Sequence, residues 1–241
     1  MKLILGFTRL SFAIRLVLAI LVIAGGVMYV ALTSGGLRAA PAPLHLSSGA
    51  ESTLPPGASL AGDWRVNSGS RAEYRVSELY LGAKSPHLAV AETKSVSGTM
   101  KVSQAAGGYV VSQASIRVGL AGLKSMDTVA GRNVSVRDGV VQDILHVKNH
   151  PDAIFSAENV AIPAAVAASP VSVTVPGTLT VNGVTRPVEA TMKAQVAGNR
   201  VEVAGSIATA MTDFDVQPPQ MGFTTVSPQV LVNFDIFFVQ G

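Results

Sequence analysis

The chain has no cysteine, a single tryptophan and few aromatic residues of any kind, 5% of its 241 residues. Without cysteine there is no disulfide, no thiolate metal site and no cysteine nucleophile. A lipoprotein-type terminus, in which a cysteine carries acyl chains, is excluded too, so membrane attachment has to come from the polypeptide itself. Charge is scarce at 14%, and the net +3 sits almost entirely before Gly62. There Lys2, Arg9, Arg15 and Arg38 face the single acid Glu51; from Gly62 onward 14 basic and 14 acidic residues balance. A phosphate-binding surface needs a clustered basic stripe. The bases here are scattered, which speaks against nucleic acid. A glycine-rich phosphate loop, a Gly-x-Ser-x-Gly elbow and a 20–50-residue repeat are also missing.

What is present begins with an apolar run. Leu16–Leu32 carries no charge, and apolar residues extend it back through Ile14 and Leu10. As a helix the run rises roughly 25 Å, and from Leu10 it matches the ~30 Å hydrocarbon core. Lys2, Arg9 and Arg15 precede it. The positive-inside rule then keeps the N-terminus cytoplasmic and places the rest outside, periplasmic or at the cell surface. Residues 1–32 are therefore expected to be a single-pass signal anchor in the cytoplasmic membrane. A cleaved signal peptide is the competing reading, but its apolar core is normally shorter and ends at a small-x-small site. Thr33–Ala61 is rich in Ser, Gly, Ala and Pro, with Pro41, Pro43, Pro55 and Pro56, and is expected to be a flexible tether.

From Gly62 to Gly241 the apolar residues mostly repeat every second position. Asp63–Val66, Tyr74–Val76, Tyr109–Val118, Ile154–Val160, Val171–Val175, Thr178–Val181, Val188–Val196, Val201–Ala208 and Val230–Val239 read as strands with one buried and one solvated face. Gly107-Gly108, Asn182-Gly183, Gly198-Asn199 and Pro218-Pro219 punctuate them. Val136, Val140, Val141, Ile144 and Leu145 fall at helical spacing within Ser135–Lys148, with Pro151 as a stop. The expected fold is all-β with one short helix: about eight antiparallel strands closed into a barrel, which removes exposed edges and leaves an interior.

Chemistry-bearing residues are few. His45 lies in the tether and His87 follows Pro86 in an expected loop. His146 and His150 share the i,i+4 spacing of a zincin half-site, but Val147 stands where the glutamate is required. The reading is a solvated helix end, with no metal and no cofactor. Asp213 and Asp215 are expected on one solvated strand face and Asp138/Asp143 form a second near-pair; neither specifies an acid–base site. No enzyme is expected.

Three motifs carry a resemblance. They are Asp63-Trp64-Arg65-Val66; Ser135-Val136-Arg137-Asp138 leading through Ile144-Leu145 to Asn149-His150-Pro151-Asp152-Ala153-Ile154-Phe155-Ser156-Ala157; and Gly177-Thr178-Leu179-Thr180-Val181-Asn182-Gly183-Val184-Thr185-Arg186-Pro187-Val188. In this order they resemble the YceI-like proteins, bacterial lipocalin-like domains that bind polyisoprenoid or other long-chain lipids. Two departures touch expected interior positions: Ile144-Leu145-His146-Val147 replaces a phenylalanine-rich segment, and Tyr74-Arg75-Val76 replaces Ser-x-Val-x-Phe. The resemblance implies a lipocalin-like barrel holding a long-chain isoprenoid or other apolar lipid. The alternative is a tethered structural or stress-related interaction domain whose barrel is filled by its own side chains. The lipid-holding reading, combined with the period-two pattern, assigns Tyr74, Val76, Phe155, Val181, Met192 and Phe234 to the cavity lining. Met100, Met126, Met192, Met211 and Met221 are adaptable residues suited to a lining or to filling gaps. Arg137 and Asp138 are expected to pin the helix by ion pairing, and Asn182-Gly183 to form a type I′ turn. A homodimer is left open.

Overall fold

The computed structural model describes residues 40–47, 54, 57–129 and 132–241. The expected signal anchor, residues 1–32, lies outside them. Among the described residues no helix is long and apolar enough to cross a membrane.

The strands are β1 (Gly62–Val66), β2 (Arg71–Tyr80), β3 (His87–Thr93), β4 (Val96–Ala105), β5 (Gly108–Gly119) and β6 (Lys124–Ser125). Helix α1 (Val136–Ile144) follows, then β7 (Asp152–Pro163), β8 (Val171–Val181), β9 (Val184–Ala197), β10 (Arg200–Ala210) and β11 (Thr224–Gln240). All pairings are antiparallel. β1 and β2 follow one another along the long β11, Trp64 opposite Gln240 and Arg71 opposite Asp235. β4 and β3 follow one another along β1 and β2 in the same way. Each couple acts as one bent strand, so the ring closes with eight strands and the β1–β11 pairing removes the edge.

Alternation explains the wall. Val201, Val203, Gly205 and Ile207 of β10 and Val232, Phe234, Ile236 and Phe238 of β11 turn to one side, and most join the main apolar cluster. β3 escaped the period-two reading because it is buried on both faces: His87, Ala89, Val90, Ala91 and Thr93 are all inaccessible. β4 does alternate, but its inward face of Val96, Gly98, Met100 and Val102 is interrupted by a glycine. Val171–Val175 and Thr178–Val181, read as separate strands, are one strand through Pro176 and Gly177. That proline sits where β7 and β8 have parted, since the two pair only over Ile154–Ser156 and Thr178–Thr180. A side chain on Gly177 would press within 2.5 Å of the Ser156 carbonyl oxygen and 2.8 Å of the Phe155 ring, so the motif's glycine lets the strands close at this point.

Asn182 (φ 52°) and Gly183 (φ 76°) form the expected left-handed turn between β8 and β9. Helix α1 is shorter than expected. It ends at Ile144, and His146 adopts φ 48°, folding the chain back so that Val147 N–H reaches Gln142 O. Val136 has the right spacing for the apolar face but is 66% exposed, on the side of the first turn away from Arg137 and Asp138, which bond into the wall. Asp213 is not on a strand either: Met211–Phe214 is a 3₁₀ turn whose backbone Asp213 caps through Ala210 N–H.

Part of the stretch read as a free tether is held against the outer wall. The Arg75 guanidinium donates to Pro41 O at 2.6 Å, and Ser47 N–H donates to Glu202 Oε1 at 2.6 Å. Backbone groups lacking a sheet partner find one in these outward side chains.

Candidate ligand-binding cavity

One end of the barrel is closed by its own side chains. Leu60, Trp64, Val166 and Phe238 are buried there, and the indole N–H of Trp64 is satisfied by Leu60 O at 2.9 Å. Leu54 N–H bonds Ala167 O nearby, joining the approaching chain to the loop between β7 and β8. From this floor a cavity of about 320 Å³ runs up the barrel, lined almost wholly by aliphatic and aromatic side chains. At the opposite end Val140, Val141 and Ile144 of α1 and Leu145 just after it form part of its roof, with Met211, Phe214 and Val216 beside them.

All six residues assigned from sequence, Tyr74, Val76, Phe155, Val181, Met192 and Phe234, line this cavity. Met100, Met211 and Met221 line it as well, whereas Met126 does not and is 48% exposed. His45 is exposed in the outer stretch. His146 pairs with Asn182 (Nδ1 to Oδ1, 2.8 Å) and the His150 ring packs against Gly183, so the two secure the hairpin rather than share a helix face. Asp143, Asp213 and Asp215 are exposed. Among the described residues no group of three or more His, Cys, Asp or Glu is placed to hold a metal.

The helix is fastened by a buried charge cluster that sequence reading did not assemble. Asp127 accepts four bonds: from His87 Nε2 at 2.7 Å, Val90 N–H at 3.0 Å, and Arg137 Nη1 and Nη2 at 2.7 and 3.2 Å. Arg137 Nη2 also donates to Glu78 Oε2 at 3.0 Å, which receives the Tyr80 hydroxyl at 2.8 Å. Asp138 accepts from Ser125 N–H and its hydroxyl at 2.9 and 2.8 Å. The expected ion pairing is present at Arg137, with Asp127 and Glu78, and Asp138 adds a contact with the exposed Lys124 Nζ at 3.6 Å. His87, expected in a loop, belongs to β3 and sits inside this cluster.

Burial pushes the Asp127 carboxyl upward, but the bonds from His87, Arg137 and Val90 outweigh it and hold the group well below the usual carboxylate range. Arg137 is driven above its ordinary value: burial opposes its charge, and Asp127 and Glu78 more than offset this. Burial raises the Tyr74 phenol, with Arg137 acting in the other direction. Burial and the bond to Glu78 raise Tyr80. Arg137 and Glu78 both border the cavity with their charges already engaged. The cavity therefore offers a ligand contact area rather than a free charge.

A family model for the YceI-like domain matches residues 64–238, which takes in the walls, the helical roof and the floor apart from Leu60. The chain belongs to the YceI-like family. Among solved structures, a polyisoprenoid binding domain from Saccharophagus degradans, implicated in plant cell wall breakdown, shares 16% identity over 74% of this chain and 98% of its own, with a TM-score of 0.54. Burkholderia cenocepacia BcnA shares 19% over 68% of this chain and 95% of its own, at a TM-score of 0.45. The Campylobacter jejuni YCEI protein shares 15% over 60% and 81%, at 0.44. No curated protein matches. For this YceI-like chain the likeness to the first structure carries the fold, and the departures at Tyr74 and Ile144–Val147 lie on the cavity wall and roof and the turn that follows.

Proposed function

We propose that the barrel holds a long-chain apolar lipid of the polyisoprenoid type and does so outside the cytoplasmic membrane. The observation that carries this reading is the cavity: about 320 Å³, walled by apolar side chains, with its bordering charges already paired. Its volume lies at the lower end of the ~300–1,000 Å³ usual for ligand sites. It favours a holder of lipid over a barrel filled by its own side chains. Each methylene moved out of water contributes about 0.8 kcal/mol, so a lipid tail needs no strong polar anchor. The solved Saccharophagus domain is named for polyisoprenoid binding, in keeping with the reading. Holding needs no acid, base or nucleophile, and none is assigned.

The location rests on Leu16–Leu32 and the bases before it. Protease added to intact spheroplasts is expected to cut between Thr33 and Ala61; protection of that stretch removes the proposed topology.

Mass spectrometry of organic extracts from the purified full chain tests the ligand. Wild type is expected to carry an isoprenoid-class lipid. Met192→Lys or Val181→Asp is expected to lose it, along with several kcal/mol of stability, because a charge facing a dry cavity is poorly solvated. Lipid retained in full by a folded Met192→Lys protein overturns the proposed lining. Empty wild-type protein moves the reading to the interaction domain.

A further inference from the structure

The cavity ends differ in what covers them. At the floor Leu60, Trp64, Val166 and Phe238 are buried, but at the helical end Met221 both lines the cavity and is 37% exposed, more than any other described lining residue. Two of the large apolar side chains that the fold leaves in solvent flank it. Leu81, in the loop after β2, is 81% exposed and Phe223, in the loop before β11, 43%. The two loops are joined, Leu81 N–H donating to Phe223 O at 2.8 Å. The Arg132 guanidinium lies 5.0 Å over the Phe223 ring and 4.7 Å over the Tyr80 ring. Lys84 is exposed on the Leu81 loop. Of the carboxylates at this end, Asp127 is inaccessible and bonded four ways, while the exposed Asp143, Asp213 and Asp215 belong to α1 and the 3₁₀ turn and its end, not to the Leu81 and Phe223 loops that carry the tip.

We infer that this rim, with Leu81, Met221 and Phe223 as its apolar tip and Arg132 and Lys84 beside them, docks on the surface of an anionic lipid bilayer. Exposed side chains of this size cost free energy in water and gain it at the acyl boundary, while flanking cations meet anionic headgroups. Arg132 is suited to that boundary, since a guanidinium stacked on aromatic faces keeps its charge at the wet level. A protein partner would satisfy the apolar area equally well. The bilayer is favoured because the exposed tip is continuous, through Met221, with the apolar lining: a chain leaving the membrane there passes from one oily surface to another without crossing water. The sense of the docking rests on the lipid-holding reading above; the contact is tested separately from it.

The chain lacks cysteine, so a single thiol can report the contact. Full-length Leu81→Cys, Phe223→Cys and Asn199→Cys, the last in the β9–β10 turn at the floor end, are labelled with an environment-sensitive nitrobenzoxadiazole dye. They are reconstituted into phosphatidylethanolamine–phosphatidylglycerol vesicles. The expected result is a blue shift and a several-fold fall in quenching by aqueous iodide at the two rim positions, with no change at Asn199. The effect is expected to shrink in phosphatidylcholine vesicles and in an Arg132→Glu, Lys84→Glu background. Rim labels as water-exposed as the Asn199 label overturn the docking. So does a rim shift that follows protein concentration in detergent without vesicles, which assigns the surface to a second copy. Organic extracts keep the two readings apart. A rim shift in a chain that carries no lipid sinks lipid holding and leaves docking standing, and lipid-loaded protein with wet rim labels does the reverse.

Discussion

Two buried carboxylates, Asp127 beside α1 and Asp235 on the outer side of β11, meet opposite surroundings. Asp127 has four donors, two of them from Arg137, and its charge is favoured in spite of burial. Asp235 is as inaccessible, at 2% exposure, but has one side-chain donor, Arg71 Nη2 at 3.3 Å, and a second oxygen without a donor. Burial and the nearby Glu202 carboxylate push it up to about 6. Glu202 is itself held in place by Gln195 at 2.7 Å and Ser47 N–H at 2.6 Å. Depth in the protein therefore does not decide a carboxylate's charge. The number of donors aimed at it and the sign of its neighbours do.

The strongest way to break this comparison is to remove the donor. Arg137→Ala leaves Asp127 and Glu78 as buried charges without their main partner, and is expected to cost about 3–5 kcal/mol in urea unfolding. A loss below about 1 kcal/mol means that the cluster does not hold α1. Next comes Asp235. Its neutral form is the one the fold prefers, so ionisation costs about 2–3 kcal/mol above pH 6, and that cost disappears as pH falls from about 6 toward the unfolded value near 4. Asp235→Asn is accordingly expected to stabilise the protein by about 1–2 kcal/mol near pH 7.5 and by nothing near pH 4. Equal gains at both pH values mean that charge is not the cause.

Wild-type melting curves sharpen the same contrast. Acidification from about pH 7.5 to 5 is expected to raise Tm as Asp235 takes up its proton. Below about pH 4 the sign reverses, because Asp127 stabilises the fold only while ionised and its depressed value makes that loss continue to strongly acid pH. A Tm that falls steadily from pH 7.5 downward contradicts the assignment of Asp235. The smallest effect is expected at Glu189→Lys on the exposed side of β9, within about 0.5 kcal/mol and with the lipid load unchanged.

Period-two alternation made most of the barrel legible. Because successive side chains of a strand take opposite sides, Tyr74 and Val76 on β2 and Phe234 on β11 could be assigned to one interior before any partner strand was known, and the cavity contains them. The Asn182-Gly183 turn was legible for an equally local reason, since a two-residue hairpin demands two left-handed residues. β3 was not legible, because a strand buried on both faces has no alternation to read, and His87 beside Pro86 mimicked a loop. The helix end was misplaced because apolar spacing continues past Ile144 while the backbone turns at His146.

The sequence by itself determined which residues form strands, which of their faces are apolar, and so that a closed antiparallel barrel would enclose an apolar interior. It did so because backbone geometry and side-chain direction are settled within a few residues along the chain. Only the tertiary structure decided that Asp127 would meet His87, Val90 and Arg137, that Asp235 would lie beside Glu202, and that Leu81, Met221 and Phe223 would gather at one rim. Electrostatic and apolar contacts depend on distance in space. His87 and Asp127 stand 40 positions apart in sequence, Arg137 and Glu78 59, and no local pattern records that the closing of the barrel brings them within a hydrogen bond.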